Sequence, residues 1–468
     1  MRGGKPLYRV YFTSACISLI VNYTSSMSNL IPANMQKMQQ SALQEIGEIS
    51  NLRPDTIEQK IRTFESFGIH QTGSKADDLT SEWLAEELKD LGIESSIDTY
   101  QFPLFEYREA HLQVGETRIK GIPMFDGGST APRGIAGVLT DEPEEDLMGK
   151  ILVATSAMRG DSRWMNPHSK DHYQEFARRG AVGIIVPSSD PDGHIVLRNA
   201  EYIRNPFQLP VLQVTNRDIT TLRQHLILGE EATLIINASL LSSTATNVFA
   251  DIGQPSTDSH GVGIMTPKSG WFTCAAERGG GIACWLAIAE AMAKWDTRPV
   301  SIHFSATGGH ELGHQGLLHH LRDIPKGTES RMRYPASTWL HLGASIGAKH
   351  TDIMRGPEVE ETSAIGPRFS ASSNLLHELG EDALNQSGIR PEYYLPELVG
   401  TPGNGEARDI ESRGGDFISF RGGHHYFHSP QDTVDVAVDP NKISQWARAA
   451  VLVALGLTAY QEEGDLSP

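Results

Sequence analysis

From Ser305 to His320 the chain reads Ser-Ala-Thr-Gly-Gly-His-Glu-Leu-Gly-His-Gln-Gly-Leu-Leu-His-His. His310-Glu311-x-x-His314 offers two imidazoles that share one face if the segment is helical. Such a pair can hold a zinc ion, with the intervening glutamate as general base. A third ligand ten residues after the first would be His320, although Leu317 stands where that longer motif has glycine. Otherwise His314, His319 and His320 read as solvent-facing or rim residues of a helix. The preceding Val300-Ser-Ile-His-Phe-Ser305 has the make-up of a strand, ended by the Gly308-Gly309 turn. Functional groups gather beyond the carboxyl ends of strands in α/β sheets. His310 and Glu311 are therefore candidates by position as well as by type.

The elements that must position them alternate along the chain. Asp55 to Phe67 reads as a helix. Gly73-Ser-Lys is followed by an amphipathic helix striped by Leu79, Trp83, Leu84, Leu88 and Leu91 and stopped by Gly92. A strand follows near Glu94 to Phe102. Residues 105–242 read as a β-rich inserted unit, with strands at Gly149–Ala154, Gly180–Pro187 and Leu209–Val214 and helices at Tyr173–Arg179 and Ile219–Leu226. No His, Cys or carboxylate cluster at ligand spacing stands out there, so its role reads as structural. Asn247–Ile252 returns to strand. Gly279–Ala293 is apolar all round, as for a helix buried against a sheet. Trp339–Ile346 is a further strand, and Asn374–Ser387 and Lys442–Tyr460 are helices. This alternation predicts an α/β fold: a mixed, mostly parallel sheet with helices on both faces, interrupted by the mostly β insertion. The expected division is 1–45 as an N-terminal tail (a leader or disordered), 46–104 and 243–468 as one domain, and 105–242 as the insertion.

Bulk properties exclude several partners. A formal net charge of −18 over 468 residues argues against nucleic acid and anionic membranes, which need a basic face. Three cysteines, Cys16, Cys274 and Cys284, make no disulfide framework. Arg2, Lys5 and Arg9 precede a short apolar run in the shape of a signal peptide. Hydroxyl residues interrupt that run, no small-x-small cleavage site follows, and Met27 and Met35 are alternative starts; the reading favours a cytoplasmic protein. A homo-oligomer is compatible with the sequence.

Several of these pieces, in order, resemble the M28 family of aminopeptidase-like zinc hydrolases with an inserted protease-associated (PA) domain. They are Thr72-Gly-Ser74, Gly180-Ala-Val-Gly-Ile-Ile-Val186, Asn247-Val, the Gly281 helix and His428-Ser-Pro-Gln-Asp-Thr433, and the match spans residues 55–462. The resemblance implies a two-zinc site, carried over residue by residue. Glu277 falls where the family has its bridging Asp, Glu311 on the ligand Glu, and His428 on the late His. The family's His-x-Asp falls on Met265-Thr-Pro267, its other Asp near Gly343 or Ala344, and its general-base Glu on His310.

The expectation is a single-metal hydrolase of an amide or related C–N bond. Glu277, Glu311 and His428 bind one divalent ion, zinc first and manganese or iron as alternatives. His310 serves as base or fourth ligand, and His341 points into the same cavity. The substrate is a small molecule or a peptide. His424 and His425 line or cover the pocket, and Cys274 is a soft ligand to check. Two alternatives stand beside this: a catalytically inactive relative that binds or assembles, and the HExxH zinc protease. In the last, His314→Ala abolishes metal binding and His428→Ala spares it; the first expectation is the reverse.

Overall fold

The computed structural model describes residues 31–143, 146–153, 170–188, 193–253, 261–327, 332, 334–349 and 366–465. The leader-like run at 1–30 lies outside them. Fourteen strands follow in chain order: β1 Ser95–Val114, β2 Thr117–Lys120, β3 Ile122–Pro123, β4 Ile135–Thr140, β5 Lys150–Val153, β6 Gly183–Pro187 and β7 Val211–Val214. The second half holds β8 Glu231–Ile252, β9 Val262–Pro267, β10 Ile302–Thr307, β11 Thr338–Leu342, β12 Gly366–Ala371, β13 Leu395–Pro396 and β14 Asp416–Gly423. The helices are α1 Ala33–Ile46, α2 Pro54–Ser66, α3 Lys75–Asp90, α4 Lys170–Arg178, α5 Asn216–Leu228 and α6 Ala275–Lys294. They continue with α7 Gln315–His320, α8 Asn374–Gln386, α9 Glu406–Glu411, α10 Val434–Ala437 and α11 Pro440–Asp465. No helix among these is long and apolar enough to cross a membrane.

The sheet is mixed and mostly parallel. β10, β9, β11 and β14 run parallel at its centre, β8 is antiparallel to β10, and β12 is antiparallel to β14. Sheets of this kind are buried on both faces, which is why β9, β10 and β11 are buried at every position. β1 and β8 form one long antiparallel ribbon whose register runs from Ser95 opposite Ala250 to Gln113 opposite Thr233. One end of the ribbon joins this sheet through β10. The other joins β4, from which β5, β6 and β7 continue in parallel. The insertion is thus the far end of a continuous structure, with its own apolar cores. One of those cores takes in Trp271 and Leu312, so the insertion packs down onto the loops at the sheet end. Ordered chain also begins earlier than the expected 1–45 tail allows: α1 is a helix whose Met35, Ala42 and Ile46 are buried in the main core.

Helix α6 runs through the middle of that core, buried from Ala275 to Met292. Its three consecutive glycines allow it to lie so close. A Cβ on Gly280 would collide with the carbonyl oxygen of Ile346, and one on Gly281 would sit 2.7 Å from Thr266 Oγ1. The first turn of α6, with Glu277 and Arg278, is thereby pressed against the carboxyl ends of β9 and β11.

Candidate active site at the carboxyl ends of the strands

β10 delivers the chain to Gly308 and Gly309, and Gly309 (φ 78°) turns it into a short 3-10 segment, His310–Leu312. The helix expected over the two histidines does not form. Gly313 (φ 74°) and His314 (φ 57°) are left-handed, and α7 starts only at Gln315. The glycine between the motif residues ends the turn that a zinc-protease helix would continue.

The histidines are nevertheless brought together, with ring centroids 5.0 Å apart. His314 is buried, not solvent-facing, and its Nδ1 lies 2.6 Å from Asp409 Oδ2. His310 Nδ1 lies 2.7 Å from Glu406 Oε1, and the other oxygen of Glu406 is 3.2 Å from His341 Nε2. His341 Nδ1 in turn meets Ser419 Oγ at 2.8 Å. Glu406 and Asp409 lie on α9, three residues apart and hence on one face. Burial raises the Glu406 carboxyl, and the charges of His310 and His314 more than reverse this, leaving it well below the usual range. His314 moves up: burial opposes, but Glu406 and Asp409 favour its charged form. One ligand atom from each of His310, His314 and Glu406 lies within 4.8 Å of the others, which among the described residues makes them a candidate metal group.

Glu277, Glu311 and His428 meet in a neighbouring, equally buried cluster. His428 Nε2 is 3.2 Å from Glu277 Oε1, and its Nδ1 donates to the carbonyl of Leu197 at 2.8 Å. Between the two carboxylates stands Arg278. Arg278 is fully buried; its Nη2 donates to Glu311 Oε1 and lies 2.8 Å from Glu277 Oε1, while Nε donates to the carbonyl of Ser269 at 2.6 Å. Ser269 Oγ donates to Glu311 Oε2 at 3.2 Å. Burial raises the Glu277 carboxyl, and Arg278 and His428 outweigh it, holding the group at about 2. Burial lowers His428, and Glu277 more than compensates, moving it up. Asp432 accepts from the backbone N–H groups of Ala276 (2.8 Å) and Glu277 (2.9 Å), so the His428–Asp432 turn caps α6 as well as delivering His428. His424 pairs with Ser345 Oγ at 2.9 Å and sits 3.5 Å from Asp432, part of the wall.

The remaining expectations fall elsewhere. His341 joins Glu406 instead of the Glu277 group. His319 stacks on Tyr100, and His320 bonds His303 at 3.0 Å and stacks on it, so neither completes a ligand set with His310 and His314. Of the residues that the resemblance aligns with a second metal site, Met265 packs into an apolar cluster and Thr266 Oγ1 donates to the carbonyl of Leu342 at 3.0 Å. The next residue but one, Lys268, is buried against Asp77. Cys274 is a buried thiol at the start of α6, its pKa pushed well up by burial. Of the five described non-glycine residues with positive φ, four ring this region: Cys274, His314, Ser345 and His428. Such backbone cost is characteristically retained at functional sites.

A mixed, mostly parallel α/β sheet with its polar groups at the carboxyl ends is the fold seen in M28-type zinc aminopeptidases. The zinc aminopeptidase BSAP of Bacillus subtilis superposes with a TM-score of 0.68 at 16% identity, over 88% of this chain and 96% of its own. A peptidase M28 precursor from Shewanella amazonensis gives 0.66 at 18% identity, over 91% and 96%. An aminopeptidase from Aneurinibacillus sp. strain AM-1 gives 0.62 at 18%, over 88% and 94%. At these identities the likeness is one of fold. Protein-family models and curated protein sequences give no match.

Proposed function

We propose that the chain is a hydrolase of amide or related C–N bonds that works with one divalent cation, seated at His310, His314 and Glu406. The observation that carries this is the convergence of those three ligand atoms at the carboxyl end of β10, in a fold whose solved examples include zinc aminopeptidases. Two imidazoles and a carboxylate suit zinc, and the Asp409 carboxylate behind His314 Nδ1 fixes the ring so that Nε2 is free to bind. The set Glu277, Glu311 and His428 fits an ion less well, because Arg278 already stands between its carboxylates.

The bound cation would supply Lewis acidity, polarising a carbonyl and making water nucleophilic near neutral pH. The chain's own groups do the rest. Glu406 braces His310 and His341 from opposite sides. His428, held at Nδ1 by Leu197, keeps a proton at Nε2 beside Glu277 and is placed to give it up to a departing amine. Arg278 Nη1 is buried with no partner, a fixed donor for an incoming oxygen. Met265, Thr266 and Pro267 leave no carboxylate where a free α-amino group would be gripped, which favours small amides or carbamates over peptides.

Metal content measured on protein purified without added metal tests this, followed by a hydrolysis screen of amides, carbamates and peptides. About one ion per chain in the wild type is expected, lost with its activity in His314→Ala and retained in His428→Ala. Loss in His428→Ala alone would return the ion to the Glu277 group. No ion in any of the three would remove the hydrolase mechanism and favour a binding or assembly role.

A further inference from the structure

Glu277 Oε1 and Glu311 Oε1 are the two oxygens that a bound ion would draw together, each at about 2 Å from it. One nitrogen, Nη2 of Arg278, already donates to Glu311 Oε1 and pairs in charge with Glu277 Oε1 at 2.8 Å. The guanidinium is anchored from behind, since Nε donates to the carbonyl of Ser269, and Ser269 in turn donates to the far oxygen of Glu311. His428 closes the group, with Nε2 3.2 Å from Glu277 and Nδ1 fixed to Leu197. The late-histidine geometry of a metal site is therefore intact, yet the point at which the oxygens converge is filled from within the chain.

An ion cannot share that point. It would have to displace Nη2 and sit beside a guanidinium that stays charged at any pH a protein survives. Within a few ångströms, in a site shielded from water, that repulsion is not screened. The two carboxylates also need a cation, because neither is exposed and burying bare charge is costly.

We infer that Arg278 is a built-in cation which replaces a metal ion at the Glu277–Glu311–His428 position, so that this position keeps its shape with no metal bound. Through Nη2 it holds Glu277 and Glu311 in place and keeps metal out.

The test uses the full chain in a His314→Ala background, which removes the His310 group as a contributor and makes the result independent of the function proposed above. Zinc per chain is read by elemental analysis, and zinc-dependent change in Tm by thermal unfolding. The His314→Ala chain is expected to hold no zinc at the Glu277 group, with a Tm indifferent to chelator. Adding Arg278→Ala should create one zinc site per chain and raise Tm when zinc is supplied. A further His428→Ala should abolish both. Arg278→Gln, which keeps much of the side-chain volume without the charge, should behave likewise; a variant recoverable only when zinc is present during expression supports the same conclusion. The inference is overturned if the His314→Ala chain already holds a zinc that His428→Ala removes. It is equally overturned if soluble Arg278→Ala and Arg278→Gln both take up none.

Discussion

Asp409 Oδ2 touches the back of a candidate ligand, and so it tests how that ligand is held. Carboxylates behind metal-binding histidines fix the ring and raise its basicity, and their loss characteristically weakens the metal about 10- to 100-fold. Asp409→Asn should therefore lower zinc affinity by that factor in a competition titration, with an unchanged far-UV spectrum and Tm in the presence of chelator. A second residue-scale prediction concerns acid. His70 is buried and stacks on Phe64, and burial followed by the charge of Lys268 depresses its pKa to about 4. The unfolded chain takes up this proton near its ordinary value of about 6.5. Stability from His70 is thus full above that pH and lost as pH falls from there towards 4, a contribution of up to about 3 kcal/mol. His70→Leu should shrink the difference in unfolding free energy between pH 7.5 and pH 4.5; an identical pH dependence would refute this. His310, Glu311 and His428 were legible in sequence because each lies in a short motif. Glu406 and Asp409 were not: they stand 96 and 95 residues from the histidines they meet, and only the fold pairs them. Arg278 was not, because the helix read from sequence begins at Gly279 whereas the observed one begins at Ala275 and buries it.

Among elements, α6 has the least freedom. Its glycines are the reason the first turn reaches the strand ends, and Gly280 has a carbonyl where a side chain would begin. Gly280→Ala gains helix propensity but must push the helix off Ile346, and overpacking of this kind costs about 1–3 kcal/mol. A lower urea midpoint with an unchanged m-value is expected; a neutral or stabilised variant would mean that the helix can slide. Long periodic elements such as α3, α6 and α11, and the buried strands β6 and β10, were readable from spacing and composition. The HExxH stretch misled because two histidines four apart suggest a helix, whereas Gly309 and Gly313 bend the backbone into left-handed turns. Helix α9 was unread because its Glu406–Glu411 span is too short to show a period.

At the scale of the molecule, the β1–β8 ribbon makes the insertion an extension of the main sheet, and residues 193–206 of that insertion pass over the site. Leu197 N–H donates to the carbonyl of His428 at 3.2 Å, and Ala200 N–H donates to that of Glu311 at 2.6 Å. The insertion, expected from its composition to be structural, therefore also bonds directly to two residues of the site. Hydrogen exchange should find these two amides protected, and exchanging together, if the crossing segment lifts as one piece; independent exchange at the two would rule that out.

The two bonds to the site are made by peptide groups, which every residue except proline carries in full. What they demand of the sequence is therefore a count more than a spelling. Leu197 and Ala200 must stay three steps apart, and both are buried in the insertion's core, so the spacing matters alongside their apolar character. A single residue gained or lost would displace the clasp by roughly 3.5 Å and part it from the site. Relatives that keep both bonds should thus agree in the length of this stretch long after they have ceased to agree in the rest of its composition.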